Sequence, residues 1–165
     1  MPKRARCPFC DQLFNRDILD SHIAKCRAQK TRHNSDSHTI RRRVVVDGSN
    51  VAYHLSPHGQ PKAQNLLLAY QSLRAAGFDA VFVISAALIH SVDKPSLLDS
   101  FILIADTIEA PKGTDDDLKI IQLSKKLDAD IISNDRFLNW QERFPWLASR
   151  LRRYRMTPSG LILTK

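Results

Sequence analysis

Val44-Val45-Val46-Asp47-Gly48-Ser49-Asn50 is the stretch on which the fold turns. Three consecutive β-branched residues make an apolar run that is too short for a helix. The run also lacks the alternation of a half-exposed strand, so it reads as a strand buried on both faces of a parallel sheet. An acid stands at its carboxyl end, followed by a glycine that allows a tight exit. Ligands of open α/β sheets gather at that edge. Working outward, the short apolar or aromatic runs at 80–85, 101–104 and 130–133 read as further strands. The stretches 62–76, 116–127 and 136–152 read as helices; Leu66, Tyr70 and Leu73 lie at helical spacing, with Gly77 just past a helix end. Strand and helix in alternation predict a three-layer α/β domain with a mostly parallel sheet. Near the end, 150–156 and 161–164 flank Thr157-Pro158-Ser159-Gly160, a turn that makes them a hairpin or edge strands. No internal repeat is present.

The chain has 165 residues, with 25 Lys or Arg against 17 Asp or Glu, a formal charge of +8. A hydrophobic share of 43% supports one well-buried core and excludes collagen-like and wholly disordered classes. The charge is unevenly placed: residues 1–43 hold 11 Lys or Arg and 4 Asp, whereas 44–165 hold 14 and 13. The first part is therefore strongly basic and the second nearly neutral. Ala28 to Arg43 is polar, basic and almost free of large apolar residues, a linker or mobile arm by composition. The predicted division is a small N-terminal finger at 1–28, a basic linker at 29–43 and the α/β domain at 44–165. The longest mostly apolar uncharged stretch, from Ala80 to Val92, is short of the about 18 residues a membrane span needs, so no membrane partner is expected. No apolar signal region follows Lys3, Arg4 and Arg6, and the expected location is intracellular, in the cytoplasm.

All 3 cysteines lie in the first 26 residues, which in a reducing compartment points to metal rather than disulfides. Cys7, Cys10, His22 and Cys26 give C-x2-C-x11-H-x3-C, with the last two ligands four apart on one helix face. Four soft ligands at this spacing suit tetrahedral zinc. The arrangement resembles the ββα finger of the C2H2 type with cysteine as the last ligand, Phe14 and Leu19 covering the metal, and Asn15 placed to cap the helix. A module this short has no sufficient core without metal. Basic residues around the ligands, Arg4, Arg6 and Lys25 with Lys3, Arg16 and Arg27, favour nucleic-acid contact, with protein docking as the alternative role.

Acids recur at equivalent edges of the second part. Asp47 ends the first strand, Ile131-Ile132-Ser133 leads into Asn134 and Asp135, and Asp115-Asp116-Asp117 opens a helix. One acidic run at a helix start is an ordinary dipole complement. Three acidic sites that converge on one sheet edge without a pairing Lys or Arg instead call for a hard cation, Mg²⁺ or Mn²⁺, and support phosphodiester hydrolysis.

These motifs, D-G-S-N, the acidic run and I-I-S-N-D, resemble a PIN-type nuclease, and within that superfamily the NYN subgroup and the Regnase (MCPIP) ribonuclease domain. The likeness spans 44 to about 155. It implies that Asp47, Asp116, Asp117 and Asp135 bind the catalytic metal, and that Asn50 holds the Asp47 turn and helps to position water. The register of the run is open, with Asp115 the alternative to Asp116. The Regnase group often carries a further Asp where this chain has Asn139, and its members pair the domain with a CCCH finger on the other side.

The expected function is thus a metal-dependent endoribonuclease acting on single-stranded RNA, with Arg4, Arg6, Lys25, Arg41, Arg42, Arg43, Arg152 and Arg153 holding RNA. A homodimer is left open, and a non-catalytic RNA-binding or ribosome-associated adaptor is the alternative. Glycines at 48, 59, 77, 113 and 160 are too scattered for a dinucleotide or phosphate loop. Ser49 stands where an aspartyl phosphatase needs its second acid. His54, His58 and His90 read as surface residues, and Trp140 and Trp146 as core packing rather than base stacking.

Overall fold

The alternation along Val44-Val45-Val46 is what the sheet is built on. Val44 and Val46 join one apolar cluster with Leu66, Leu73, Phe82 and Phe101, whereas Val45 joins another with Ile120, Ile121, Ile131 and Phe137. Successive side chains of a strand point to opposite faces, so a run apolar at every position must be covered on both sides. The computed structural model describes residues 4–8, 10, 12–32 and 41–164, and the chain separates into two units, Met1–Ile40 and Arg41–Lys165.

In the first unit, strands β1 (Arg4–Arg6) and β2 (Leu13–Asn15) pair antiparallel, and helix α1 (Arg16–Arg32) follows directly. Asn15 is the last residue before the helix, and the helix runs four residues past the predicted finger boundary at 28. Residues 33–40 of the predicted linker lie outside the described residues.

The second unit begins with β3 (Arg42–Asp47), which starts inside the predicted linker, and continues through α2 (Gly48–Tyr53), α3 (Ala63–Ala75), β4 (Phe78–Ser85), α4 (Ala86–Ser91), α5 (Pro95–Ile104) and β5 (Asp106–Ala110). It ends with α6 (Asp116–Leu127), β6 (Asp130–Ile132), α7 (Leu138–Gln141), α8 (Leu147–Arg150), β7 (Leu151–Thr157) and β8 (Gly160–Thr164). The strand order is β5-β4-β3-β6-β7-β8, all parallel except the terminal β7–β8 hairpin. Buried residues of α2 to α5 cover one face, and those of α6 and α8 the other. The chain leaving β3 therefore turns to one side and the chain leaving β6 to the other. This opens a crevice between their carboxyl ends, where ligands of such sheets bind.

Two expectations are corrected. The run 101–104 is the last part of helix α5, and the strand is the next segment, β5. Pro95 in the first turn presets helical φ, and Leu98 and Phe101, three residues apart, bury one helix face. Strand β5 escaped notice because it lies at the sheet edge and reads Asp-Thr-Ile-Glu-Ala, with only Thr107 and Ala110 fully buried. The stretch 136–152 is likewise two short helices around Pro145, followed by β7 from Leu151, since proline supplies no N–H to continue a helix. Trp140 and Trp146 pack against the second cluster, as expected of core residues.

Gly48 is held by close approach. A Cβ there would stand 2.7 Å from the Val83 carbonyl oxygen and 2.7 Å from Ile84 Cγ2. Gly113 has open space around it but a φ of +81°. Gly48→Ala is expected to destabilise the α/β unit by about 1–3 kcal/mol, because a backbone carbonyl cannot rotate aside, and Gly113→Ala by about 1 kcal/mol. Thermal denaturation followed by circular dichroism checks the order; an unchanged midpoint for Gly48→Ala contradicts the packing.

Candidate active site

Asp47 ends β3 and is also the N-cap of α2, so its position follows from where the buried strand stops. Only 7% of it is exposed. The Asn50 backbone N–H donates to Oδ1 at 3.0 Å, closing the turn, and the Ser133 hydroxyl donates to Oδ2 at 2.9 Å from the end of the neighbouring strand β6. The Asn50 side chain does something different from holding the Asp47 turn. Its Oδ1 accepts from the Asn134 N–H at 3.0 Å and from the Tyr154 hydroxyl at 2.7 Å, tying α2 to the loop after β6 and to β7. Asn134 completes the link, donating through Nδ2 to the Tyr154 carbonyl at 3.0 Å and accepting from the Tyr154 N–H at 3.1 Å. Burial, then the charge of Asp47, holds the Tyr154 phenol above its usual range, so it stays a donor.

Asp135 follows on the same edge. Its N–H donates to Ser133 Oγ at 3.1 Å and its Oδ1 accepts from the Phe137 N–H at 2.8 Å. Phe137 turns the chain with a φ of +49° while its ring is buried in the second cluster, a conformation an L-residue keeps only when packing over-determines it. The third acidic group comes from the amino end of α6. Asp115 caps this helix, its Oδ1 accepting from the N–H groups of Asp117 at 2.9 Å and Leu118 at 3.4 Å. Asp115 thus serves the backbone through one oxygen, and Asp116 and Asp117 stand partly buried in the first turn.

The acids feel one another. Asp47 is pushed up to about 6, first by burial, which outweighs its two hydrogen bonds, and further by the charges of Asp135 and Asp116. Asp117 also rises to about 6, through burial, then Asp115, Asp47, Asp135 and Asp116. Asp116 is raised by burial and Asp115. None of Asp47, Asp116, Asp117 and Asp135 makes an ion pair with a described Lys or Arg. A carboxylate group set of this kind, unpaired and mutually repelling, fits a hard divalent cation with oxygen ligands.

In the first unit the Sγ atoms of Cys7, Cys10 and Cys26 and a His22 ring nitrogen all lie within 4.8 Å of one another. Cys7 N–H donates to the Gln12 carbonyl at 2.8 Å, forming the knuckle, and the Phe14 ring stacks on His22 with centroids 3.8 Å apart. The donor set fits tetrahedral zinc. Burial, with the Cys7 and Cys26 thiols beside it, pushes Cys10 up to about 12, so zinc must displace protons to bind.

The basic residues expected to hold RNA are dispersed. Arg4, Arg6 and Lys25 are exposed in the finger. Arg41 precedes β3, and Arg42 and Arg43 lie at its amino end, four to five residues or about 13–17 Å from Asp47 along an extended strand. Arg42 and Arg152 both pair with Asp130, at 2.8 and 2.9 Å, and Arg43 pairs with Asp79 at 3.1 Å. Arg153 has no such partner among the described residues. Sequence reasoning missed Tyr154, read past in favour of its arginine neighbours, and the structural roles of Ser133 and Asn134, which were inside the quoted I-I-S-N-D segment.

Since the folded chain holds the Asp47 proton to about pH 6, above the ordinary 3.8, its stability falls as pH rises between those values. With divalent ions chelated, Asp47→Asn is expected to be more stable than the parent by about 1–2 kcal/mol at about pH 8 and no more stable at about pH 4. Denaturant melts at both pH values check the sign, and a pH-independent difference contradicts the burial of a charged group here.

No curated protein matches the chain. Two structures of nuclear protein-only RNase P 2 (PRORP2) from Arabidopsis thaliana are similar in fold. One is 18% identical with a TM-score of 0.56, covering 96% of this chain and 40% of that one. The other is 14% identical with a TM-score of 0.59, covering 99% and 42%. This chain spans about two fifths of the length of those proteins. Residues 40–159 match the family described as Zc3h12a-like Ribonuclease NYN domain. With Asp47, the α6 acids and Asp135 on a β5-β4-β3-β6 parallel edge, this chain belongs to that family of ribonuclease NYN domains.

Proposed function

We propose that the protein is a divalent-metal-dependent endoribonuclease that cuts single-stranded RNA, and that its N-terminal finger holds zinc and adds RNA affinity. The observation that carries this is the buried Asp47 carboxylate, held by two donors and raised by Asp135 and Asp116, in a unit that supplies these acids with no described cationic partner. Family membership supports RNA as the substrate. Asp47, Asp116, Asp117 and Asp135 would hold Mg²⁺ or Mn²⁺, which when bound supplies Lewis acidity at the phosphorus and a water of lowered pKa. The chain's own residues do the rest. Asn50 N–H and Ser133 fix both Asp47 oxygens, so the carboxylate is oriented before RNA arrives. Asn50 Oδ1 is saturated by Asn134 and Tyr154, which leaves its Nδ2 as the donor for a water or phosphate oxygen. Without metal, Asp47 and Asp117 each keep a proton to about pH 6. The thiol ligands of the finger need a reducing compartment, consistent with the cytoplasm.

One observation favours a non-catalytic RNA-binding adaptor: Asn139 stands where the Regnase group often carries a further Asp. The two are separated by incubating the full chain with labelled single-stranded RNA. The nuclease gives internal cuts with Mg²⁺ or Mn²⁺ that stop with EDTA and return with excess metal. Asp47→Asn slows cutting by at least about 100-fold, the scale of a lost reacting group, with RNA affinity retained. Binding without any cutting in the parent supports the adaptor. For the finger, zinc chelation is expected to abolish the amide dispersion of residues 4–32 by NMR while the signals of 41–164 persist; an unchanged finger spectrum overturns the zinc assignment.

A further inference from the structure

The arginines of the α/β unit differ in what they touch. Arg42, Arg43, Arg150 and Arg152 are ion-paired with Asp130, Asp79 or Asp128. Arg74 donates to the Tyr70 hydroxyl at 2.7 Å, and Arg143 lies 5.8 Å from the Trp140 ring centre. Arg41, Arg136, Arg153 and Arg155 are exposed, and none makes an ion pair or ring contact with a described residue. Of these, Arg136 and Arg153 line one cleft of about 280 Å³, with Gln141, Leu151, Arg152 and Thr164 among the rest of its wall. The wall is built rather than accidental. Gln141 Nε2 donates to the Arg136 carbonyl at 2.8 Å, which pins the loop after β6 to α7, and Thr164 stands opposite Arg153 in the β7–β8 register.

The position of this cleft is set by the same elements as the acids. Arg136 directly follows Asp135, and Arg153 follows Arg152, the register partner of Ile132, so that it stands level with Ser133 on the face of β7 opposite Tyr154. The backbone that carries the two arginines thus adjoins the edge that carries the acids. A planar guanidinium fork matches the oxygens of a phosphate and is weakly hydrated, so two forks facing one cleft are matched to an anionic diester rather than to an apolar ligand. We infer that the Arg136–Arg153 cleft is a phosphate subsite, taking a backbone phosphate of the RNA strand next to the bond that faces the acids. This rests on the RNA-cutting function proposed above. Its role is positioning: the cleft anchors the strand where the acids alone repel it, and it touches no reacting atom.

The test measures binding, so it does not depend on cleavage. Zinc-loaded full chain, with no Mg²⁺ or Mn²⁺ added, is titrated into a fluorescein-labelled single-stranded RNA at several salt concentrations. Arg136→Ala/Arg153→Ala is expected to weaken binding roughly tenfold and to reduce the slope of log affinity against log salt by about 0.7, the value of one phosphate contact on a single strand. Arg136→Lys/Arg153→Lys is expected to keep the slope, because the charge remains, while losing part of the affinity with the fork. Arg150→Ala, whose arginine already serves Asp128, leaves both unchanged. Equal affinity and slope in the alanine pair, or a slope lost in the lysine pair, overturns the subsite while leaving the nuclease standing. A parent that binds RNA through these arginines but never cuts it leaves the subsite standing and overturns the nuclease. A parent that binds no RNA overturns both.

Discussion

A carboxylate taken out of water is costly unless donors replace the water it loses, and Asp47 is almost entirely buried. Its two donors come from two places in the chain: the N–H three residues on, and the hydroxyl of Ser133, which is 86 residues away. The second donor requires β6 to lie beside β3 in the observed register, Val46 opposite Ile132, so that the next residue of each strand meets at the edge. Gly48 adds the second constraint, because α2 can leave β3 at this angle only where no Cβ meets the Val83 carbonyl. From these two conditions the crevice, the side on which α2 and α3 pack and the approach of Asp135 follow.

Charge is sorted along the sheet. At the amino ends of β3 and β6, Arg42, Arg43 and Arg152 find Asp79 and Asp130, and positive and negative groups cancel. At the opposite edge, Asp47, Asp135 and the α6 acids Asp116 and Asp117 find no cationic partner among the described residues. The near neutrality of 44–165 therefore hides an uneven distribution: one edge is compensated, in part by Arg42 and Arg43 from just before that range, and the other is not. The raised Asp47 and Asp117 values express the same fact: without such a partner, the folded chain prefers to keep protons there.

Much of the fold was legible because burial on two faces leaves a compositional trace. The valine run marked β3, the spacing after Asp115 marked α6 with both ends placed correctly, and the Thr-Pro-Ser-Gly segment marked the terminal hairpin. Strand β5 left no such trace, since an edge strand can be polar, and the apolar run before it was claimed by a helix whose buried face it formed. The acids of the site were legible as motifs, D-G-S-N and S-N-D, because each is local. Tyr154 was not, because its contact with Asn50 spans 104 residues and nothing around it in the sequence sets it apart from any buried strand aromatic.

The sequence by itself determined a zinc-ligand spacing, an alternating α/β order and which acids end their strands, all of which depend on residues close together in the chain. Only the tertiary structure decided that Asp115 caps α6, that the Asn50 side chain braces Asn134 and Tyr154, and that Arg42, Arg43 and Arg152 are spent on aspartates while Arg136 and Arg153 are not. The physical reason is common to these cases. A polar side chain's role is set by which donor or charge reaches it first, and in a parallel sheet those partners arrive from strands and helices far away in sequence.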